Sequence, residues 1–482
     1  MQTQPEPMRL HFMSSKFLLI GICLWTVISC TDENEHGIIA PREPIANTGS
    51  NFSGTEILMQ GFYWDSFNES GPGNWWDFVE DKLPELADAG ITEIWLPPAQ
   101  KSNHSPSMGY DPFDYFDLGE FPQKGRTETY FGSRAELERL IDRAHELGIK
   151  VYADIVYNHM SGGAIEWNPH VNDSTYTDFN PASGRFAFDY NNFHPSTFST
   201  SDAGSFGDFP DLAHANPSTL DMLQDNLNWL KNEVGFDGWR FDYVKGFSPS
   251  IVKDLQASAG GEVIGEYYDG NKALLRDWLE GSGTSTAVFD FPQFFTLQEM
   301  CNNRSGTFDM EKLWSSGLHF TEPGRSVTFA ENHDTDKDDP IIHDKMLAYA
   351  FILTHEGKPT VFWKDYFNYN LARPGQPNGI HKLMWVRKNL AVGSTELLYH
   401  DKDVYVAQRN GEPGLIISIN DNADTENTVT VFSKWENKKL TSYAYRSTAN
   451  RSEDNVITTG DDGRVEITVP PRGYVVYGPV LN

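Results

Sequence analysis

The sequence predicts an α/β protein: a (β/α)8 TIM barrel, with an irregular insertion after its third strand and an antiparallel β-sandwich at its C-terminus. Three observations predict it. Apolar strand-like runs alternate with amphipathic helical stretches from residue 56 to about 394. Four runs end in charged, amide or imidazole side chains: YADIVYNH (152–159), GFDGWRFDYVKG (235–246), EVIGEYYD (262–269) and SVTFAENHDTD (326–336). Burying an arginine or a carboxylate is costly unless the groups satisfy each other or do chemistry. One such strand is equally a buried ion pair; several in succession describe the catalytic rim of a barrel. From about Glu396 onward, short alternating strands replace the strand–helix rhythm.

The elements follow in order. EILMQGFYW (56–64) is strand one, and NWWDFVEDKLPELADAG (74–90) is an amphipathic helix closed by Gly90. ITEIWLPP (91–98) is strand two. SRAELERLIDRAHELG (133–148) is the next helix, with Ser133 as N-cap. IKVYADIVYN (149–158) is strand three. Residues 160–213 then lose any clear period and are rich in Asn, Asp, Ser, Gly and Pro. A stretch of that length inside a barrel points to function. LDMLQDNLNWLKNEVG (220–235) restores the rhythm, and FDGWRFDYV, EVIGEYY, STAVFDF, SVTFAEN and PTVFW give strands four to eight. NGIHKLMWVRKNLA (378–391) closes the barrel as a helix. DVYVAQRN, GLIISIND, NTVTVFSK, RVEITVP and YVVYGPV are the strands of the sandwich.

Composition narrows the function classes. A net charge of −30 argues against nucleic acid, whose phosphates require Lys and Arg. It fits a neutral or cationic partner, or a solvated surface. The 13% aromatic content includes 13 Trp and 20 Tyr, side chains that stack on sugar rings as readily as they fill a core. Cys23, Cys30 and Cys301 are too few for a disulfide framework, and Cys301 is expected to be a reduced, partly buried thiol.

The N-terminus reads as a targeting segment. Lys16 precedes FLLIGICLWTVIS (17–29), a run too short and one-sided for a membrane span. Met13 is an alternative start, since MSSKFLL gives a more usual leader. Val27-Ile28-Ser29-Cys30 is similar to a bacterial lipobox, in which Cys30 becomes the lipidated first residue; a secretory signal with an incidental cysteine is the alternative. The acidic TDE that follows resembles the surface-export tags of Bacteroidota lipoproteins. The expected organisation is a signal peptide (1–30), a flexible tether (31–53), barrel (54–159), insertion (160–213), barrel (214–394) and sandwich (395–482). The product would be an envelope lipoprotein, touching membrane only through its anchor, or otherwise secreted.

At GWRFDYVKG, GEYYD and NHDTD, from about Thr55 to the C-terminus, the chain resembles the α-amylase family of glycoside hydrolases, and most of all its plant and archaeal-type subgroup. Glycoside hydrolysis needs two carboxyl groups facing across the scissile bond, one ionised and one protonated. The resemblance makes Asp242 the nucleophile, Glu266 the general acid/base, and Asp334 the third carboxylate, which stabilises the transition state. Arg240, two residues before Asp242 on the same strand face, is counted with the substrate-binding residues and is expected to lower the Asp242 pKa. Glu266 is expected to be raised by the nearby Asp and partial desolvation. The resemblance implies that His159 and His333 bind sugar hydroxyls, that Tyr110 and Trp64 stack on sugar, and that Lys245 contacts the leaving-group side.

The same resemblance implies that residues 160–213 are domain B, and that Ca²⁺ is bound by Asn158, Asp202 and Asp211 side chains with carbonyls of Gly204 and Gly246. The segment SDAGSFGDFPDL (201–212) is acidic and Gly-rich, as a chelating loop should be, and equally as a polar surface loop can be. Some archaeal relatives hold zinc here through two His and a Cys; His194 alone remains, with Thr200 and Ala213 in the other places, so no zinc is expected. The resulting expectation is a monomeric, endo-acting, retaining α-amylase acting on starch-like polysaccharide or malto-oligosaccharide. The competing readings are a maltogenic, debranching or transglycosylating enzyme of the same family, and a non-catalytic surface glucan-binding lipoprotein.

Overall fold

The computed structural model describes Phe52, residues 54–446 and residues 456–481. The leader, Cys30 and all of the tether but Phe52 lie outside the described residues.

Eight parallel strands close into a barrel in which every strand pairs with its sequence neighbours, the last with the first. They are β1 (Leu58–Gln60), β2 (Glu93–Trp95), β3 (Lys150–Ile155), β4 (Gly238–Phe241), β5 (Glu262–Gly265), β6 (Thr286–Phe289), β7 (Ser326–Phe329) and β8 (Lys358–Phe362). Each is followed by a helix: α1 (Trp75–Ala89), α2 (Arg134–Glu146), α3 (Pro217–Trp229), α4 (Pro249–Ala259), α5 (Lys272–Ser282), α6 (Phe291–Asn302), α7 (Lys345–Thr354) and α8 (Ile380–Leu390). Every strand and helix read from the barrel sequence is present. The strands are shorter than their apolar runs because pairing stops where the chain turns outward to build the rim.

Local chemistry explains the helix starts. Ser133 accepts from the Glu136 amide while Glu136 reaches back to the Ser133 amide, a reciprocal cap that contributes about 0.5–2 kcal/mol. α3 begins on Pro217 after the Asn216 cap and runs into a π-helical turn that ends at Gly235. The barrel core is large and aromatic: Trp95, Tyr152, Trp239, Phe289 and Phe329 are all buried. Its N-terminal end is plugged by Lys358, whose Nζ lies 2.6 Å from Glu93 and also bonds Glu262.

Between β3 and α3, residues 160–213 are less irregular than expected. They contain an antiparallel hairpin, Ala164–Asn168 against Asp173–Asp178, and a single 3-10 turn at Tyr190–Asn192. Both strands are mostly exposed; Ile165 and Trp167 alternate with Glu166 and Asn168 over only five residues, and the partner strand Asp173–Asp178 is polar but for Tyr176.

Among its described residues the C-terminal region carries eight strands: β9 (Thr395–His400), β10 (Val404–Arg409), β11 (Leu415–Asn420), β12 (Asn427–Phe432), β13 (Lys439–Arg446), β14 (Val456–Thr458), β15 (Arg464–Val469) and β16 (Gly473–Pro479). A six-stranded sheet in the order β9-β10-β11-β16-β13-β14 faces the β12–β15 pair. Val406, Ile416, Val431, Val465 and Val475 form the core between them. The sequence reading missed β9, β13 and β14. These strands are half-buried at best along most of their length, and their polar residues hide the alternation.

Candidate active site

Asp242 and Glu266 are the first residues past β4 and β5, and Asp334 follows β7 by a short turn. The barrel ladder continues one bond beyond the strands and fixes the first two: Asp242 N donates to Ile155 O and Glu266 N to Phe241 O, each at 2.9 Å. All three carboxyl groups line one cleft of about 610 Å³ together with Trp64, Tyr110, Tyr243, Lys245, Tyr268 and His333. Tyr243, just past Asp242, adopts the left-handed region at φ 45°, an uncommon conformation for a bulky residue. That turn points its amide at Glu266 Oε2, 2.9 Å away.

Beneath the carboxyl groups lies Arg240, only 1% exposed. Its Nη1 donates to Asp154 at 2.7 Å and to Asp242 at 2.9 Å, and its Nη2 lies 3.3 Å from Glu266. Arg240 therefore binds carboxylates, not sugar: the expected substrate contact is replaced by a positioning role, because the guanidinium is covered by the groups it holds. Asp154 was not anticipated. It is the one acidic residue inside the apolar run of β3, and it also accepts from Tyr110 Oη at 2.8 Å and Trp95 Nε1 at 3.1 Å.

The expected downward shift of Asp242 is also corrected. Burial, with the flanking Asp154 and Asp334, pushes its carboxyl up to about 7 against the opposing pull of Arg240. Burial raises Glu266 further, to about 8, with Asp242 and Asp334 adding to it. Desolvation outweighs the neighbouring cation because Arg240 is shared among three acids. The order survives: Glu266 holds its proton to higher pH than Asp242.

His333 is 5.4 Å from Tyr110 and 5.9 Å from Trp64, centroid to centroid, and the three rings are nearly parallel. Tyr110 Oη and His333 Nε2 are 2.9 Å apart, and Gln60 Nε2 is 2.9 Å from His333 Nδ1. Since Tyr110 gives its only proton to Asp154, His333 donates from Nε2 and accepts at Nδ1. Burial lowers His333 to about 4, so this neutral tautomer is kept. Lys245 reaches the cleft and donates to Tyr268 O at 3.2 Å.

His159 is placed otherwise than expected. It is fully buried, its Nε2 is 2.9 Å from Tyr110 O, and its ring packs against both Phe206 and Phe209, 5.0 Å from each centroid. It lies behind Phe206 and Phe209 and is not among the residues that line the cleft. Phe206 and Phe209 take the surface instead; both sit in the stretch without sequence period, which gave no signal.

The residues expected to bind metal converge beside this wall. His194, Asp202 and Asp211 each bring a ligand atom within 4.8 Å of the others. Asn158 is fully buried with neither Oδ1 nor Nδ2 partnered, and Asp211 Oδ1 is buried and unpartnered as well. Gly204 N donates to Gly246 O at 3.0 Å, which joins the insertion to the chain after β4. A Cβ on Gly246 would stand 2.0 Å from Asn158 Oδ1, so glycine is required there. Unpaired buried oxygens on a joint between two segments fit a hard cation with oxygen ligands. His194 and His214 were not expected in this set. Burial opposes it, but the imidazoles of His194 and His214, each 3.4 Å from Asp202, hold its carboxyl well below the usual range.

Comparison with known proteins agrees with this geometry. The family described as alpha amylase, catalytic domain, matches residues 62–363, and the alpha-amylase C-terminal family matches residues 415–478. An alpha-amylase of Geobacillus stearothermophilus is 30% identical over 92% of this chain and 90% of its own length. The chloroplastic alpha-amylase 3 of Arabidopsis thaliana is 30% identical over 70% of this chain and 39% of its own length. The crystal structure of an acarbose-complexed alpha-amylase from Geobacillus thermoleovorans superposes with a TM-score of 0.64 at 19% identity, covering 89% of this chain and 99% of that one, which shows a common fold.

Proposed function

The chain belongs to the α-amylase family of glycoside hydrolases, and on that premise we propose that it is an endo-acting, retaining α-amylase that cleaves internal α-1,4-glucosidic bonds of starch-like glucans. The observation that carries the proposal is the convergence of Asp242, Glu266 and Asp334 on one cleft, with Arg240 clamping the first two. Asp242 attacks the anomeric carbon while Glu266 gives its proton to the departing glycosidic oxygen; Glu266 then takes a proton from water, which releases the sugar from Asp242 with retained configuration. Asp334 stabilises the oxocarbenium-like charge that develops in the transition state of each step. His333 lines the cleft for the sugar hydroxyls, and Trp64 and Tyr110 offer the aromatic faces beside it. Lys245 meets the leaving-group side.

Asn158, Asp202 and Asp211, with carbonyls of Gly204 and Gly246, would hold Ca²⁺; its role is structural, fastening the insertion to the barrel. A monomeric envelope lipoprotein anchored at Cys30 completes the reading. The test is digestion of amylose, with product lengths resolved by chromatography and the anomer of the first product read by NMR. A spread of internal fragments in the α-configuration supports the proposal. A single short product points to a maltogenic enzyme, cyclic or lengthened products to a transglycosylating one, and binding without cleavage to a non-catalytic glucan-binding protein.

A further inference from the structure

A cavity of about 220 Å³ lies at the N-terminal end of the barrel, where the sandwich joins it, and shares no residue with the catalytic cleft. Glu356 and Gly357 lead into β8 beside it, Thr395 opens β9, and Arg409 ends β10. Two buried guanidinium groups line it: Arg387 is 1% and Arg409 5% exposed. Among the described residues, every hydrogen bond that either makes ends on a main-chain carbonyl. Arg387 donates from Nη1 to His355 O and from Nη2 to Gly357 O. Arg409 donates from Nη1 to Thr354 O, and from both Nε and Nη2 to Gly393 O. Arg387 Nε is buried with no partner.

The carboxylate in this lining, Glu356, is taken by Thr395, whose amide donates to Oε1 at 2.6 Å and whose hydroxyl donates to Oε2. Glu56 acts on Arg387 from outside the lining. Burial, with Arg409 beside it, still pulls Arg387 down to about 9 against both acids, and burial lowers Arg409 as well. Two guanidinium groups buried on neutral carbonyls are costly to keep charged, and an anion between them removes that cost. The free Nε edge of Arg387 is the kind of fork that grips an oxyanion through parallel N–H bonds. His319, fully buried in the same lining, adds a group of the opposite kind. Its Nδ1 lies 3.3 Å from Asp290 Oδ2, which also accepts from Leu318 N and Ser326 Oγ, so Nδ1 carries the proton. Nε2 is unpartnered and, in the neutral ring, an acceptor. Guanidinium donors with one imidazole acceptor suit an oxyanion that keeps a hydroxyl.

We propose that this cavity binds a small oxyanion of the hydrogenphosphate class, held by Arg387 and Arg409 with its hydroxyl donated to His319, and that the bound anion braces the sandwich against the barrel. Sulfate and chloride carry no proton at neutral pH and leave His319 Nε2 unsatisfied.

The experiment uses the full chain at neutral pH and fixed calcium. Inorganic phosphate is the probe, with sulfate and chloride at matched ionic strength as comparisons, and calorimetric titration and melting temperature as readouts. Phosphate at about a hundredfold over its Kd should raise the melting temperature by about 3 °C. Sulfate should bind more weakly, and chloride should act only through ionic strength. Arg387→Met should weaken phosphate binding by about ten-fold or more. Because a buried variant can fail to fold, Ser394→Asp is the second. Ser394 lines the cavity, and a carboxylate there supplies the negative charge from the chain itself. This variant should melt above wild type without phosphate and lose the response to it. No binding heat, with a melting shift no larger than that of chloride, overturns the proposal. So does phosphate binding that survives both substitutions, and sulfate binding as tight as phosphate overturns the hydroxyl-bearing class.

Discussion

Arg240 Nη1 lies 2.9 Å from the carboxylate of Asp242, two residues further along the chain and the first past β4. One guanidinium is thus committed to three buried acids, Asp154, Asp242 and Glu266. A single cation cannot keep three neighbouring carboxylates ionised in a desolvated site, so the proton stays on the acid held most loosely. Glu266 is that acid: its contact to Arg240 is the longest of the three, and its pKa is pushed highest, to about 8. The division of labour that the proposed retaining mechanism requires agrees with the distances from Arg240.

Asp242→Asn removes the nucleophilic oxygen and keeps the side-chain volume and one acceptor for Arg240. Turnover of starch should fall by about 10³-fold or more. Glucan binding in amylopectin gels should persist, and the melting temperature should stay within a few degrees of wild type. Retention of a tenth of wild-type turnover would show that Asp242 does not carry the covalent step.

The raised pKa values make a prediction about pH. For the free enzyme, kcat/KM should rise as Asp242 ionises near pH 7 and fall as Glu266 loses its proton near pH 8, both being values of the coupled pair. Stability follows from the same shifts. Unfolded, these groups titrate near 3.8 and 4.5; folded, they hold their protons to about 7 and 8. Their contribution is complete below the unfolded values and is lost as pH rises through the folded ones. Melting temperature measured across this window should therefore decline more in wild type than in the Asp242→Asn/Glu266→Gln double variant. Parallel curves would count against burial as the cause of the shifts.

The barrel was legible because its strands are short apolar runs and α2 has a marked start at Ser133; α4, α5, α6 and α7 were not read as helices, and α7 has no side-chain cap to mark it. Asp242, Glu266 and Asp334 were legible because a carboxylate that ends an apolar strand is costly to bury unless it is paired or reactive. Three features were not. Asp154 hides inside such a run, where only the pairing of β3 with β4 reveals that it meets Arg240. His159 looked like a sugar ligand because the sequence does not show that Phe206 and Phe209 fold over it. The direction of the Asp242 shift depends on how deeply the pair is buried, and spacing along a strand carries the sign of the neighbour but not the depth.

Cys30→Ala should move the protein from membranes to the soluble fraction without changing its specific activity on starch. Cys30 closes the Val27-Ile28-Ser29 run, and the catalytic barrel begins only at β1. One acyl chain holds a protein only marginally, so stable retention implies a multiply acylated cysteine. Cell fractionation with blotting checks this; equal amounts of both forms in the soluble pool would make Cys30 an ordinary residue of a secretory leader.

Calcium removal should weaken the protein at one identifiable joint. Asn158 ends β3's extension into the insertion, Asp202 and Asp211 belong to the insertion itself, and Gly246 belongs to the turn after Asp242. An ion held by all of them ties the cleft wall carrying Phe206 and Phe209 to the turn that aims Tyr243 N at Glu266. A ligand that binds only the folded chain stabilises it by mass action, so excess chelator should lower both melting temperature and activity, and added Ca²⁺ should restore both. Gly246→Ala tests the same joint without a chelator. Its Cβ would stand 2.0 Å from Asn158 Oδ1, displacing that oxygen. The variant should bind less calcium by elemental analysis, melt a few degrees lower, and respond little to chelator. If wild type loses its metal with no change in melting temperature, the joint is held by the hydrogen bond between Gly204 and Gly246 and by side-chain packing, and the unpartnered oxygens of Asn158 and Asp211 serve no cation.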